Sequence, residues 1–430
     1  MNPTPGAHGT FYGWKVLGAL FMAGFMVYGG GLWSFVLFVV PLTEEFHWSR
    51  AATGGLVTAF WLSAPLILLG GYGIRRLGAV RMFIAGILLE AVCLAALATV
   101  SSFWQMYALR AVMGLGKVVF AVTLPYLVSR WFFRHYSFGL GITWAGWHFG
   151  GLVLAPITGA VIAAFGWRAA CLTIAAGLVT VGLLPALRIL RVRSPAELGM
   201  NLDGDAFDAA ATLPAGSAAA VSTESAARSR GDDAPGSLSD LLGAGTFWFI
   251  ALLTLVFYTT YSGLLTHQGA IVEGAGFSAR LSSLVLGSTA GFAGCGSLIT
   301  GWLLDRYSVR KVGIGMCALL LIGALSLLLV DRAHSGAGLV SYAACFGFTV
   351  GGGDLYFVAL LRRQFPHVSV AFSYSAWYFC EILTLLVAGP VAGRIYDLTG
   401  NYAATLGILV CTASLALLAS FGMARPRAAS

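Results

Sequence analysis

Long apolar runs separated by short polar turns dominate the hydrophobic pattern of this chain. A helix needs about 20 mostly apolar residues to cross a bilayer, because each residue rises 1.5 Å and the hydrocarbon core is about 30 Å thick. Twelve runs approach or reach that length. The pattern therefore predicts an all-α membrane protein with transmembrane helices at 14–40, 52–74, 79–100, 103–128, 138–163, 168–190, 246–272, 280–304, 310–330, 337–361, 370–393 and 402–423.

The first of these runs is expected to be a true span and not a cleaved signal peptide. It extends well beyond a signal core of roughly 7–15 apolar residues, and no small-residue cleavage site follows it. Composition agrees with a membrane protein, since 58% of the residues are hydrophobic and only 10% are charged, against about 25% charged in soluble domains.

The cysteine and basic residues narrow the function classes. All seven cysteines fall inside predicted spans without metal-ligand spacing, so no disulfide framework, metal site or cofactor is expected. The formal charge is +8, yet 18 of the 25 Lys and Arg residues fall in segments on the same side as the N-terminus. The positive-inside rule then predicts that both termini are cytoplasmic, and the charge does not indicate a nucleic-acid partner. The protein is expected in the inner cell membrane.

A polar stretch divides the chain into two parts. Residues 191–245 are rich in Ala, Ser, Gly and Asp, which predicts a cytoplasmic linker that is disordered in its middle. The linker separates an N-terminal six-helix half, 1–190, from a C-terminal six-helix half, 246–430. GLGK at 114–117 on the fourth span is echoed by GGGD at 351–354 on the tenth. Two pseudo-symmetric halves with a midplane site between them are typical of a transporter.

The turns after the second and eighth spans carry a repeated glycine and basic pattern, GGYGIRRLGAVRM and GWLLDRYSVRK. Here the chain resembles the major facilitator superfamily, and the resemblance extends over essentially the whole length. It implies the twelve-helix major facilitator fold and a gating role for residues that latch neighbouring helix ends. The first copy departs from the family pattern, because Arg75 stands where the acid belongs. The matching residues are Gly71, Arg76 and Gly78 in the first copy and Gly301, Asp305, Arg306, Arg310 and Lys311 in the second.

Further motifs narrow this resemblance. Arg110, Gly114 and Gly116 are similar to the fourth-span pattern of the superfamily. The segments FYGWKV, PLTEEFHWSR, RWFFRHYSFGLGITWAG and RSPAELGMNLDG resemble those of bacterial monocarboxylate porters. Animal monocarboxylate carriers have an Asp and an Arg on the eighth span, whereas 281–304 holds no charge. The resemblance therefore implies that the charged chemistry of this chain lies on other spans.

Seven ionisable residues lie well inside predicted spans: Glu90, Arg110, Lys117, His148, His267, Asp354 and Glu381. A lone charge at the bilayer centre costs about 2.5–3.5 kcal/mol, so each is expected to face protein or water and to have a partner. Glu90 is expected to be structural, on a peripheral third span. His267 is expected to lie at the outer water interface.

Arg110 and Lys117 are predicted to bind a substrate carboxylate. They are seven residues apart on the fourth span, about 10 Å along one helix face. An arginine can donate to both carboxylate oxygens, and a lysine adds a point charge. The alternative for Arg110 is that it caps backbone carbonyls, and the alternative for Lys117 is that it neutralises Asp354.

Asp354 lies on the tenth span at a depth similar to that of Lys117, and it is predicted to couple protons. A Lys117–Asp354 pair would offset the free energy of burying either charge alone. Three interpretations remain open: a switch that a proton or an anion breaks, a static bridge, and no contact. In the switch, protonation of the aspartate frees the lysine for substrate.

The remaining candidates are a histidine, an acid and three tyrosines. His148 on the fifth span and Glu381 on the eleventh are predicted proton carriers, with hydrogen-bonded helix contacts as the alternative. Tyr28, Tyr258 and Tyr261 are the aromatic candidates for substrate binding, although aromatic residues in spans more often pack against neighbours.

The motifs in the sequence limit the possible classes of function. The sequence contains no P-loop, no His-Glu-x-x-His pattern and no nucleophile with a plausible base in a soluble domain, so an enzyme is not expected. The leading hypothesis is a secondary active transporter of a small, monocarboxylate-like organic anion, by proton symport or anion exchange with alternating access. The alternatives are a drug or amphiphile exporter of the same fold and a membrane receptor that does not transport. A monomer is expected to suffice, with the lipid bilayer, the anion and protons as partners.

Overall fold

The computed structural model describes residues 11–48, 56, 59–204 and 238–422, and helices form almost all of the regular structure there. The middle of the predicted linker, 205–237, lies outside the described residues. Ten helical stretches are long and apolar enough to cross a membrane, by length and composition. One of the ten, 136–189, is 54 residues long and contains two predicted spans. The second predicted span is broken into short helices, which brings the total to the twelve that the sequence predicts.

Most spans are single α-helices, whereas the first, second and sixth spans contain segments of other helix types. The first span consists of an α-helix, Tyr12–Tyr28, that continues into a π-helical turn, Gly29–Trp33. A short helix, Val39–Phe46, follows on the side of the bundle opposite the chain ends. The second is described as a 3-10 helix, Ala64–Leu69, and an α-helix, Gly70–Leu77. The uninterrupted spans are the third, Ala79–Leu97, the fourth, Phe103–Ser129, the seventh, Gly245–Gly274, the eighth, Ala279–Arg306, the ninth, Val309–Ala333, the tenth, Gly336–Gln364, the eleventh, Val370–Thr399, and the twelfth, Ala403–Phe421.

A single glycine separates the fifth span, 136–165, from the sixth, 167–189. Gly166 has φ +81° and ψ 167°, a region that only glycine adopts readily because it lacks a Cβ atom. The helix of 136–177 therefore reverses direction at this residue, and the sixth span then continues through a π-helical turn, Leu178–Leu183. Because successive spans alternate in direction, the described chain ends, Phe11 and Gly422, lie on the same side of the bundle, here called the terminal side.

Small residues bring neighbouring spans into backbone contact. A Cβ atom added to Gly116 on the fourth span would lie 2.8 Å from the carbonyl oxygen of Gly86 on the third. In the C-terminal half, Gly351 on the tenth span lies against Ala293 and Ser297 on the eighth, and the Ser297 hydroxyl donates to the Gly351 carbonyl at 2.8 Å. Helix association in a bilayer relies on such close packing, because lipid supplies no hydrophobic drive between spans.

The two halves meet along the fifth and eighth spans. A Cβ atom added to Gly301 would fall 3.0 Å from the Cα atom of Phe138, and one added to Gly141 would fall 3.4 Å from the Cα atom of Gly301. Gly301, which the sequence assigns to the gating turn, thus lies in a closely packed part of the interface between the halves.

Substitution of Gly351 tests this packing. In Gly351→Ala the new methyl group would stand 2.6 Å from the Ala293 carbonyl carbon and 2.8 Å from the Ser297 nitrogen. We expect overpacking of this kind to destabilise the protein by about 1–3 kcal/mol. Thermal unfolding of the detergent-solubilised protein measures the effect.

The matched control is Gly315→Ala on the ninth span. This glycine is helical and has nothing within 4 Å of a new Cβ atom. Alanine is favoured over glycine in a helix interior by up to about 1 kcal/mol, so the control should unfold at the wild-type temperature or slightly above it. Equal unfolding temperatures for the two variants would contradict the packing argument.

Candidate functional site

Lys117 lies in the middle of the fourth span and reaches the other half of the molecule. Its Nζ atom donates to the hydroxyl of Tyr378 on the eleventh span at 2.7 Å. It also stands 3.7 Å from the ring centroid of Trp61 and 5.8 Å from that of Tyr28. Only 2% of its surface is exposed. The ammonium is therefore held by aromatic faces and one hydroxyl, a setting that stabilises a cation by cation–π attraction.

Carboxyl groups surround Lys117 without touching it. Glu381, Asp354 and Glu90 are the acids that attract its ammonium. The described parts of the chain hold an ion pair between Arg168 and Glu45, and none in which Lys117 takes part. The static Lys117–Asp354 bridge weighed from the sequence is therefore not formed in this conformation.

Asp354 has its own partner in the C-terminal half. The Tyr258 hydroxyl on the seventh span donates to its carboxylate. The Tyr258 ring lies 5.2 Å from the ring of Tyr261 and 6.2 Å from that of Trp377. The two members of the predicted switch are thus each held by a tyrosine, Lys117 by one on the eleventh span and Asp354 by one on the seventh.

Arg110 shares a helix face with Lys117 and points towards the first and second spans. Its guanidinium donates to the carbonyl oxygens of Gly31 at 3.0 Å and of Leu56 at 3.4 Å. It lies 3.6 Å from the ring centroid of Phe35, and none of its surface is exposed. In this state Arg110 caps backbone carbonyls, which is the structural alternative that the sequence left open, and it does not line a water-facing stripe.

Stacked rings fix the aromatic residues near Lys117. Tyr28 stacks on Trp147 with ring centroids 4.0 Å apart and planes 7° apart. Tyr374 stacks on Tyr378 at 5.3 Å and 15°. The Trp377 indole nitrogen donates to the Thr254 hydroxyl at 3.0 Å, which ties the eleventh span to the seventh. Side chains held in this way present ordered ring faces at low entropic cost on binding.

The other predicted residues are less closely connected to Lys117. Glu381 lies one helical turn beyond Tyr378, and its Oε2 atom has no hydrogen-bond partner. His148 is buried with an unpaired Nδ1 atom and makes no hydrogen bond to another predicted site residue. His267 contacts the Gly389 carbonyl at 3.0 Å and the Tyr402 hydroxyl at 3.3 Å towards the outer end of the seventh span.

Glu90 is the acid that the sequence interpretation misjudged. It is fully buried rather than peripheral, and neither of its carboxylate oxygens has a hydrogen-bond partner. Its Oε1 atom lies against Gly31 in the π-helical turn of the first span. The sequence does carry a signal for this position. Gly86 precedes Glu90 by one helical turn, and a glycine that allows close packing against Gly116 marks the inward face of the third span.

Asp305, a predicted gating residue, joins the two halves on the terminal side. The Asp305 carboxylate accepts hydrogen bonds from the backbone N–H groups of Ser137 at 3.0 Å and Phe138 at 2.9 Å, in the first turn of the fifth span. A carboxylate at a helix N-terminus satisfies free N–H groups and interacts favourably with the helix dipole. Arg362 on the tenth span lies 4.1 Å from the ring of Tyr136. These contacts join the two halves on the terminal side, and we expect them to stabilise a state that is closed there.

The first copy of the gating pattern works by a different contact. Arg75 lies 4.6 Å from the ring centroid of Phe372, in the first turn of the eleventh span, and Gly71 packs against the same ring. Gly78 has φ +84°, which forms the turn into the third span, and Arg76 is exposed. The arginine that replaces the expected acid therefore attaches to a ring face instead of a helix N-terminus.

The basic residues of the second copy remain within the C-terminal half. The Arg306 guanidinium lies 4.3 Å from the Trp302 ring, and Arg310 donates to the carbonyl of Phe421 at 2.6 Å. The backbone N–H of Lys311 donates to the Ser308 hydroxyl at 3.4 Å in the cap of the ninth span. Asp305 is thus the charged residue of this copy that contacts the other half, beside the close packing of Gly301.

The start of the predicted linker is attached to the fifth span. Asp203 accepts hydrogen bonds from the backbone N–H groups of Phe133, Arg134 and His135 at 3.1, 2.9 and 3.2 Å. Its own N–H donates to the carbonyl of Trp131 at 3.0 Å. Two carboxylates, one from the linker and one from the eighth span, therefore bind successive N–H groups at the entrance of the fifth span.

On the opposite side of the bundle, an ion pair fixes the outer end of the first half. Arg168 contacts the Glu45 carboxylate at 2.7 Å, and the Trp167 indole nitrogen donates to it at 2.7 Å. The Arg168 guanidinium and then the Trp167 N–H hold the pKa of Glu45 below its ordinary value. Both charged side chains are partly exposed, at 43% and 39%, so the pair contributes less than about 1 kcal/mol.

Comparison with known sequences adds a family and several relatives. A sequence model of the Major Facilitator Superfamily matches residues 20–381. Mouse monocarboxylate transporter 11 is 26% identical over 449 residues, which cover 100% of this chain and 91% of that protein. Rat monocarboxylate transporter 12 is 23% identical over 295 residues, or 66% of this chain. That match spans 58% of the length of the rat protein, less than two thirds of it.

Comparison with solved structures agrees with the helix count. The proton:xylose symporter XylE, bound to 6-bromo-6-deoxy-D-glucose, superposes with a TM-score of 0.73 at 17% identity, over 96% of each chain. A variant of the Escherichia coli fucose:proton symporter FucP superposes with a TM-score of 0.69 at 15% identity, over 97% of this chain and 100% of that one. At such low identity the likeness establishes the twelve-helix fold alone.

The Asp305 contact predicts a shift in conformation on substitution. Asp305→Ala removes two charge-assisted hydrogen bonds, each worth about 1.5–3 kcal/mol. The loss falls on the state closed on the terminal side, so states open on that side should gain at least about tenfold in population. Maleimide labelling of Ser137→Cys, located by mass spectrometry, should accelerate by the same factor. The backbone N–H of residue 137 is unaffected by this probe.

Asp397→Ala is the matched control for this experiment. Asp397 is exposed at the outer end of the eleventh span, away from the contacts between the halves. Its removal should leave the labelling rate unchanged. If Asp305→Ala labels no faster than this control, the capping contact does not hold the terminal side closed.

Proposed function

The chain belongs to the major facilitator superfamily of transporters, and on that premise we propose that it is a secondary active transporter of a small organic anion of the monocarboxylate class. The site is centred on Lys117, between the two halves. The transport cycle exposes this site to each side of the membrane in turn.

The proposal rests on the Lys117 ammonium, which forms no ion pair in the described chain. It is buried between the halves, and no carboxylate of the described chain lies within ion-pair distance of it. A buried charge without its counter-ion is costly, and an incoming carboxylate supplies that counter-ion. Its bond to Tyr378 is easily exchanged, because an ionised acceptor forms a stronger hydrogen bond than a neutral hydroxyl. The site therefore favours an anion over a neutral or cationic solute.

The surroundings of Lys117 favour a small acid with an apolar body. Trp61, Tyr28 and Tyr378 offer ring faces around the ammonium. Tyr258 and Tyr261, whose rings pack together in the C-terminal half, are the further aromatic candidates. A carboxylate bound to the ammonium would leave its carbon chain against these rings. The names of the mouse and rat relatives, both monocarboxylate transporters, support this class of substrate. Arg110, by contrast, is assigned to the support of the first span.

The balance of buried charges favours proton symport over exchange. Glu90, Asp354 and Glu381 are the acids and Arg110 and Lys117 the bases of the membrane interior in the described chain. Three carboxylates and two cations have a net charge of −1, so one proton makes the set neutral. A bound monocarboxylate adds another negative charge, which a second proton would neutralise. A proton that binds Asp354 or Glu381 would remove the negative charge that attracts Lys117. The Lys117 ammonium could then bind the substrate carboxylate. That XylE and FucP are proton symporters by name supports the same coupling. His148 has no described contact that links it to this set.

The location and the orientation of the protein are proposed from the positions of its Lys and Arg residues. We place the terminal side in the cytoplasm and the protein in the inner cell membrane, because most Lys and Arg residues lie in segments on that side. The segment 191–245 is then a cytoplasmic linker between the halves, and one chain contains a whole site.

Substitution of Lys117 tests the anion site. In Lys117→Ala the charge-assisted bond to a carboxylate is lost, which is about 1.5–3 kcal/mol, or roughly 10–150-fold in affinity. Binding and uptake of radiolabelled short-chain acids in proteoliposomes should fall by that factor. Lys15→Ala removes an exposed lysine near the start of the chain and should transport normally. A folded wild-type protein that takes up no acid of the panel would refute the monocarboxylate proposal.

Substitution of Asp354 separates symport from exchange. In Asp354→Asn the side chain still accepts from Tyr258 but cannot exchange a proton. If Asp354 couples protons, accumulation driven by an inward proton gradient should disappear while counterflow of labelled substrate continues. Asp397→Asn at the exposed outer site is the control and should retain both activities. Gradient-driven accumulation that survives in Asp354→Asn would remove this residue from the coupling mechanism.

A further inference from the structure

Glu90 and Arg110 are two buried side chains with polar atoms that form no hydrogen bond. Both oxygens of Glu90 and the Nη2 atom of Arg110 are buried without a hydrogen-bond partner. Each side chain is fully buried. An ionised carboxylate in this position would lack both water and hydrogen-bond donors, which costs several kcal/mol. The geometry therefore corresponds to a neutral, protonated Glu90.

Gly31 connects the two groups. The Glu90 Oε1 atom lies against this glycine, and the Gly31 carbonyl accepts the Arg110 guanidinium at 3.0 Å. Gly31 belongs to the π-helical turn Gly29–Trp33, where the first span leaves regular α-helical geometry. Such turns frequently mark functional positions in helices. The Arg110 contact thus supports the π-helical turn of the first span.

We propose that Glu90 is a proton-binding site in the N-terminal half, and that its charge decides whether Arg110 holds the π-helical turn of the first span. With Glu90 neutral, Arg110 remains on the Gly31 carbonyl, as in this structure. When Glu90 loses its proton, the carboxylate becomes the better acceptor and Arg110 transfers to it. The Gly31 carbonyl is then released, and the outer part of the first span is free to move. The inference deepens the proposed function, because it adds a second proton-binding position to the same transport cycle.

The groups around Glu90 limit what else could titrate there. Tyr28 faces it from the first span, Cys93 from its own span, and Arg110 and Lys117 from the fourth. Cys171 on the sixth span interacts with Arg110. The arginines of the second span, Arg75 and Arg76, lie at its terminal end and do not face Glu90. Glu90 is therefore the acid of this cluster, with two cations to attract its ionised form.

Infrared spectroscopy of the reconstituted protein tests the proton directly and does not depend on transport. The carbonyl band of a protonated carboxyl group should be present in the wild type at neutral pH and should lose intensity in Glu90→Gln. Glu381→Gln is the matched control, since it removes a different buried acid. If Glu90→Gln leaves the band unchanged, Glu90 is ionised in the wild type and the inference is wrong.

The pH profile of uptake tests the coupling. Wild-type uptake should rise on acidification by up to about tenfold per pH unit, as one linked proton allows. In Glu90→Gln, which mimics the neutral acid, substrate binding should persist while uptake rises less steeply on acidification than in the wild type, because the proton exchanged at Asp354 remains. Glu90→Asp keeps an ionisable group and should restore the steeper profile. A purely structural role would lower activity in both variants without altering the profile of the remainder.

The outcomes separate this inference from the proposed function. Proton-driven uptake in the wild type with an unaltered pH profile in Glu90→Gln would overturn the role of Glu90 and leave the transport proposal intact. A wild type that transports no acid would overturn the transport proposal, and the infrared measurement would still decide whether Glu90 binds a proton.

Discussion

The interior of this protein is organised by the cost of holding charge in a membrane. Lys117 meets that constraint with ring faces and the Tyr378 hydroxyl instead of a carboxylate. Because Tyr378 belongs to the other half, the same bond joins the halves at the midplane. Asp354 has a separate partner in Tyr258. The charges at the centre are therefore close to one another without being paired, which is the condition under which a small ion or a proton can change their arrangement.

The two halves repeat a design with different chemistry. In both, the turn between the second and third spans of one half contacts the start of the fifth span of the other. The C-terminal half uses the Asp305 carboxylate on backbone N–H groups, and the N-terminal half uses Arg75 on the Phe372 ring. The first contact is directional and charge-assisted, whereas the second is less dependent on geometry. These two equivalent contacts on the terminal side therefore differ in strength.

Much of the fold could be predicted from the sequence, and less of the site. The spans, the glycine-led turns and the candidate residues Lys117 and Tyr258 follow from apolar run length and from polar residues within apolar runs. The inward position of Glu90 did not, because the third span is apolar on nearly all sides. Its one glycine, Gly86, marks the inward face only once its packing against Gly116 is known. The partner of Arg110 was also undetermined, since its acceptor, the Gly31 carbonyl, lies in a π-helical turn that the sequence pattern did not predict.

The sequence by itself determined which segments cross the membrane and in which order, because the hydrocarbon thickness and the rise of a helix set the length of an apolar run. It also determined which ionisable residues lie inside. Only the tertiary structure decided which of them meet, and it placed Lys117 against Tyr378 rather than Asp354. The reason is that the rotation and depth of each span are set by contacts such as Gly86 with Gly116. Those contacts join residues far apart in the chain, and no local pattern specifies them.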